Sequence, residues 1–169
     1  MNEIKIYKYN LEKEVKDIRE EIIDDCLKAK VERTGHNFEI FTKHHDKLYS
    51  LFKDKCKQSF KNYDIENHPT KLYCCFTDKD YNKGETWHNH QKTCTLCGVF
   101  YLKTIKGYGL ALKYNDEHTY VEAKDFDLLI FPGFLDHKPI IPKTKTRISL
   151  QFEIFCTDNT IPPHLTHIR

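Results

Sequence analysis

Apolar residues recur at three- and four-residue steps in the first third of the chain, then switch to short alternating runs after Pro69. Ile4 and Ile6 alternate with polar neighbours and predict a short opening strand. Asn10 is placed to cap a helix in which Leu11, Val15, Ile18, Ile22, Cys26 and Leu27 form one apolar stripe. Thr34-Gly35-His36-Asn37 reads as a break. Phe38, Phe41, His45, Leu48, Phe52, Cys56 and Phe60 then repeat the helical step and predict a second long helix ending near Lys61.

Beyond Pro69 the pattern predicts strands near 71–77, 86–91, 95–103, 109–114, 118–123, 127–131 and 146–155. Gly84, Lys106-Gly107, Asn115-Asp116 and Pro132-Gly133 mark turns between them. Helices followed by many strands point to an α+β fold, a β-sandwich or jelly roll with helices against one sheet. In the last strand Ile148, Leu150, Phe152 and Ile154 share one face, and Arg147, Ser149, Gln151 and Glu153 share the other. The polar face is either a solvated surface or the wall of a pocket. Strand 95–103 is apolar on both faces and is expected at the centre of a sheet. If Arg147 faces the same interior as Tyr101, the polar face is a site.

Length and composition narrow this little further. The 169 residues are expected to form a single domain, with a helical part over about 10–62 and a β core over about 70–156. Apolar residues make up 39% and charged residues 31%, which is ordinary for a globular chain. A net charge of +2 provides no basic field from which to argue for nucleic acid. No signal-peptide core or membrane-length apolar run is present, so a cytoplasmic protein without membrane association is expected. Seven cysteines, an odd number without framework spacing, fit a reducing compartment.

The candidate chemistry lies in two segments. His88 and His90 stand two apart, a spacing that on a strand puts both imidazoles on one face, close enough for one ion. His137 is the natural third ligand, because it follows an apolar strand and the turn at Pro132-Gly133. Imidazole suits iron, zinc, copper and nickel. Three ligands on one side of an ion leave positions open, as catalysis requires. Arg147 can hold a carboxylate through two parallel hydrogen bonds, and Ser149 and Tyr101 can add hydroxyl donors. A dicarboxylate gripped there at its far end can chelate the metal with its near end.

Trp87-His88-Asn89-His90, Cys97-Gly98-Val99-Phe100-Tyr101-Leu102, Gly109-Leu110-Ala111-Leu112, the run from Leu129 to His137, and Arg147-Ile148-Ser149-Leu150-Gln151-Phe152 stand in an order that resembles the iron(II)- and 2-oxoglutarate-dependent oxygenases. The chain looks most like the prolyl-hydroxylase-like branch and the compact oxygenases of this type in bacteria and phages. The resemblance spans roughly Lys71 to Phe155; the helices before it match only in kind. It implies a double-stranded β-helix (jelly-roll) core with the N-terminal helices packed on one sheet. It also implies a dioxygenase, a hydroxylase by type, that couples decarboxylation of 2-oxoglutarate to succinate with oxidation of a substrate by O2, with ascorbate as a supporting reductant. His88 and His137 would be iron(II) ligands, Arg147 and Tyr101 would hold the distal carboxylate of 2-oxoglutarate, and Ser149 would complete the Arg-x-Ser pair.

One position departs from that pattern. The usual triad is His-x-Asp or His-x-Glu with a distant His, and here His90 stands in the carboxylate position. His90 is a third ligand, or it sits behind the ligands while water or a mobile carboxylate completes the site, or the site has lost its chemistry. A jelly roll that binds metal without turnover is the alternative of a different class. Cys94-Thr95-Leu96-Cys97 has the spacing of a zinc or redox pair but lacks a second pair, so core packing is the simpler reading. Asp136 either orients an imidazole or forms a turn, and Trp87 either floors the pocket or joins the core. The substrate is open between a protein side chain, a nucleobase and a small molecule.

Overall fold

Strand alternation sorts the β-rich part of the chain into two facing antiparallel sheets in the computed structural model, which describes residues 5–32, 35–61, 64–65, 72–78, 86–92, 95–115, 117–140 and 145–157. The large sheet has six strands in the order β1 (Tyr7–Asn10), β8 (Asp127–Pro132), β5 (Leu96–Lys103), β10 (Arg147–Ile154), β4 (Tyr73–Thr77) and β2 (Asn37–Glu39). The small sheet has three, β7 (Glu117–Val121), β6 (Leu110–Tyr114) and β9 (Asp136–Pro139). Two-residue strands β3 (Asp64–Ile65) and β11 (Cys156–Thr157) pair apart from both. Among the described residues three helices complete the architecture: α1 (Glu12–Val15), which runs through a tight 3-10 turn into α2 (Arg19–Glu32), and α3 (His45–Ser59). The fold is α+β, a jelly roll backed by helices. Among the described residues no helix is long and apolar enough to cross a membrane.

The helices cover one face of the large sheet. Leu11, Val15, Ile22 and Cys26 from the first stripe, and Leu48, Phe52 and Cys56 from the second, are wholly buried there. They meet Phe100 and Leu102 of β5, Leu128 and Ile130 of β8, and Ile148, Leu150, Phe152 and Ile154 of β10. The other face of the same strands, with Cys97, Val99, Tyr101, Leu129 and Phe131, packs against Leu110 and Leu112 of the small sheet. β5 is therefore buried on both sides, as its two apolar faces predict. Asn10 acts at the helix start, its side-chain oxygen accepting from Glu12 N–H at 3.2 Å.

Several expectations need correction. The second helix begins at His45, not Phe38; Asn37–Glu39 pairs with β4 as the edge strand β2. Phe38 is buried there, stacked on Phe76 with ring centroids 5.8 Å apart, whereas Phe41 is 77% exposed. Leu27 leaves the first stripe and is exposed. The strand expected over 86–91 is reduced to one antiparallel bridge between His88 and His137. The opening strand lies at Tyr7–Asn10, after Ile6, and Ile4 is outside the described residues. β9 was not foreseen. Cys94 and Gly84 are also outside the described residues, while Cys97 is a buried residue of β5.

Gly98 marks a tight contact in this core. It lies opposite Phe152 in the β5–β10 register, and a Cβ added there would sit 1.9 Å from the Phe152 ring. That ring cannot retreat, because it is stacked on Phe52 at 4.6 Å. Gly98→Ala is expected to cost about 2 kcal/mol through overpacking, or roughly 4–8 °C of Tm for a chain of this size. Thermal unfolding followed by circular dichroism measures it, and an unchanged Tm would show that the aromatic stack gives way freely.

Candidate metal centre and carboxylate pocket

The polar alternates of β10 open into a cavity of about 540 Å³ between the two sheets. Its lining includes His88, His90, His137, Tyr101, Arg147 and Ser149, so the structure brings round one space the residues singled out from the sequence. That volume is in the ordinary range for a small-molecule site.

The histidines gather at its outer end. His88 and His137 exchange both backbone hydrogen bonds, at 3.1 and 2.8 Å, and His90 N–H donates to Gly133 O at 2.7 Å. Asn89, between the two, donates to Asp136 Oδ1 at 2.7 Å. Asp136 thus ties the His-x-His segment to β9. The three rings close on one another, with centroids 4.3 Å apart for His88–His137 and 5.1 Å for His90–His137. One ligand nitrogen from each lies within 4.8 Å of the other two.

Hydrogen bonds at Nδ1 decide which nitrogen each ring can give. His88 Nδ1 lies 3.2 Å from Thr86 O, and His137 Nδ1 lies 3.0 Å from Leu135 O. A carbonyl oxygen only accepts, so Nδ1 carries the proton and Nε2 carries the lone pair. His90 Nδ1 lies 2.8 Å from Glu153 Oε1, a carboxylate, with the same consequence when the ring is neutral. His137 is buried, and loss of water pushes its pKa down to about 3, so it is neutral at any working pH. Three imidazoles, each with Nδ1 engaged, form a donor set that fits a divalent transition metal with positions left open.

The inner end of the cavity is built for an anion. Arg147 is buried on β10 beside Thr77 in the β4 register, and Ser149 lies opposite Tyr101 of β5. Arg147 Nη1 donates to Gly109 O at 2.8 Å and Nη2 donates to Thr77 Oγ1 at 3.1 Å, which fixes the guanidinium plane. Its Nε–H and the Tyr101 hydroxyl are buried without a hydrogen-bond partner among the described residues. Burial pushes the Tyr101 phenol up to about 12, against the opposing pull of Arg147, so it stays a neutral donor. Two unmatched buried donors, one of them cationic, are costly unless a ligand accepts from them. A carboxylate is the chemical match. Thr77 and the Gly109 carbonyl, which aim Arg147, escaped the sequence reading; only the pairing of β10 with β4 exposes Thr77.

Trp87 neither floors the cavity nor joins the core. It is half-buried on the outside of the site, edge-on to His118 at 5.1 Å, with Lys138 Nζ 4.9 Å above its ring.

Fold and site together define a jelly roll of the prolyl-hydroxylase type with a three-histidine cluster at one end of its cavity and an arginine at the other. The chain is similar to a prolyl-4-hydroxylase of Pseudomonas putida, with a TM-score of 0.67 and 12% identity over 92% of this chain and 94% of that one. A viral collagen prolyl hydroxylase from Paramecium bursaria Chlorella virus-1 matches with a TM-score of 0.63 and 13% identity, over 90% of each chain. A Trichoplax adhaerens prolyl hydroxylase, solved in complex with a peptide fragment of the oxygen degradation domain of hypoxia inducible factor, matches at 0.58 and 12%, over 91% of this chain and 84% of that one. At such identity the likeness is one of fold. No protein-family model matches the sequence, and no curated protein matches it.

Proposed function

We propose that this protein is an iron(II)- and 2-oxoglutarate-dependent oxygenase of the hydroxylase type. The observation that carries the reading is a three-histidine cluster and a pair of unmatched buried donors set at opposite ends of one cavity. Three histidine rings have Nδ1 engaged at the outer end, and at the inner end Arg147 Nε–H and Tyr101 Oη–H have no hydrogen-bond partner among the described residues. A short dicarboxylate with a metal-chelating oxo-acid head meets both needs at once.

In this reading His88, His90 and His137 hold the metal, and Arg147, Tyr101 and Ser149 hold the distal carboxylate. Iron(II), when bound, supplies O2 activation coupled to decarboxylation of the oxo acid, with succinate, CO2 and a hydroxylated substrate as products. The chain itself binds, orients and keeps water out. Arg147 is held rigid by Gly109 O and Thr77, so the carboxylate meets a preset donor edge. Phe131 packs edge-on to His137 at 4.9 Å and shields that ligand. Asn37, Tyr73, Thr86, Gln151 and Glu153 line the more open end, a polar entrance suited to a protein side chain, a nucleobase or a small polar molecule.

Purified protein supplied with iron(II), ascorbate and 2-oxoglutarate in air is expected to form succinate slowly without any added substrate, measured by chromatography. The competing reading is a jelly roll that binds metal without turnover. It prevails if metal-loaded protein makes no succinate and 2-oxoglutarate gives no saturable titration.

A further inference from the structure

His90 differs from the other two histidines in what holds its Nδ1. His88 and His137 face neutral backbone carbonyls, of Thr86 and Leu135. His90 faces the carboxylate of Glu153, at the shortest of the three distances, 2.8 Å. Glu153 belongs to the polar face of β10 that also carries Arg147 and Ser149, and it lines the same cavity. The His90 and Glu153 side chains are 28% and 29% exposed, so the pair is sheltered although water still reaches it.

A surface His–Glu pair by itself adds little to stability. Here His90 is one of three clustered imidazoles, a donor set that brings no negative charge to a dication. A carboxylate bonded to the remote nitrogen of a metal-binding imidazole does three things: it fixes the tautomer, sets the ring plane and makes the donor nitrogen more basic. We propose that Glu153 is the positioning residue of the metal centre, holding His90 with Nδ1 protonated and supplying through that ring the negative charge the three histidines lack. This inference rests on the metal-centre reading above.

The test is metal affinity, measured on the full chain with Co(II) as the probe and its visible absorption as the signal. Wild type, Glu153→Gln, Glu153→Ala, His90→Ala and the His90→Ala/Glu153→Gln double variant are titrated, with Tm recorded to show that each is folded. Glu153→Gln keeps the shape and removes the charge; it is expected to weaken Co(II) binding by roughly 10–100-fold, and Glu153→Ala by at least as much. In the His90→Ala background, Glu153→Gln is expected to change affinity by less than about twofold, because the carboxylate acts through His90. Nitrogen-15 shifts of His90 in the metal-free protein are expected to report an Nδ1–H tautomer in wild type and a mixture in Glu153→Ala, a signature that a purely structural role would not move. Wild-type affinity in both single Glu153 variants overturns the inference, as does a Glu153→Gln loss that persists in full without His90. Failure of wild type to bind Co(II) defeats the metal-centre reading and this inference with it. Metal binding in wild type that Glu153→Gln leaves unchanged removes this inference alone.

Discussion

Replacing His137 with alanine is expected to abolish succinate formation and to weaken metal binding by more than the roughly 10–100-fold loss typical when only a ligand's outer partner is removed. The backbone explains why this is a clean experiment. His137 is held to His88 by main-chain hydrogen bonds in both directions, so the bridge survives truncation of the ring. What is lost is the most buried of the three imidazoles, neutral because burial pushes it down to about 3. Neither remaining histidine can take its place, since His90 is held at Nδ1 by Glu153 and His88 by Thr86 O. Co(II) titration and a succinate assay measure the two effects. Full turnover in a folded His137→Ala protein would remove the metal assignment.

Arg147→Ala should separate co-substrate binding from metal binding. Two charge-assisted hydrogen bonds are each worth about 1.5–3 kcal/mol, so the concentration of 2-oxoglutarate for half-maximal turnover should rise on the order of 100-fold or more. Metal affinity should change little, because the guanidinium is anchored on Gly109 O and Thr77 at the other end of the cavity. The variant also deprives Gly109 O and Thr77 of a donor inside the protein, so some loss of Tm is expected. Arg147→Lys keeps the charge but not the planar donor edge, and should fall between the two in 2-oxoglutarate requirement. Unchanged saturation in both variants would mean that the carboxylate binds elsewhere.

How much of this was legible in the sequence follows from where the determining contacts lie. The β10 alternation was readable because each face of that strand meets one environment, helices on one side and cavity on the other, so Arg147 and Ser149 fall together by position alone. The two-faced apolar pattern of β5 likewise announced a central strand. The start of α3 was misread because Phe38 and Phe41 happen to fit a helical step, and no glycine or proline between Phe38 and His45 marks the end of β2. Only pairing with β4 makes Phe38 a strand residue. β9, Asp-His-Lys-Pro, lacks apolar alternation and ends in a proline, so its identity as a strand comes from its partner β6. The Asn89–Asp136 and His90–Glu153 contacts join segments far apart in sequence, and no local pattern encodes them.

The double burial of β5 and the split faces of β10 have an evolutionary consequence. Cavity-facing and helix-facing residues occupy alternate letters of the same strands, so each set answers to its own surroundings. A lineage can exchange a cavity-lining residue such as Ser149 or Glu153 without touching the letters that pack the core, Leu150 and Phe152 among them. The cavity lining can vary in one register while the scaffold is held in the other, which lets a jelly roll at 12% identity to a structural neighbour keep that neighbour's shape.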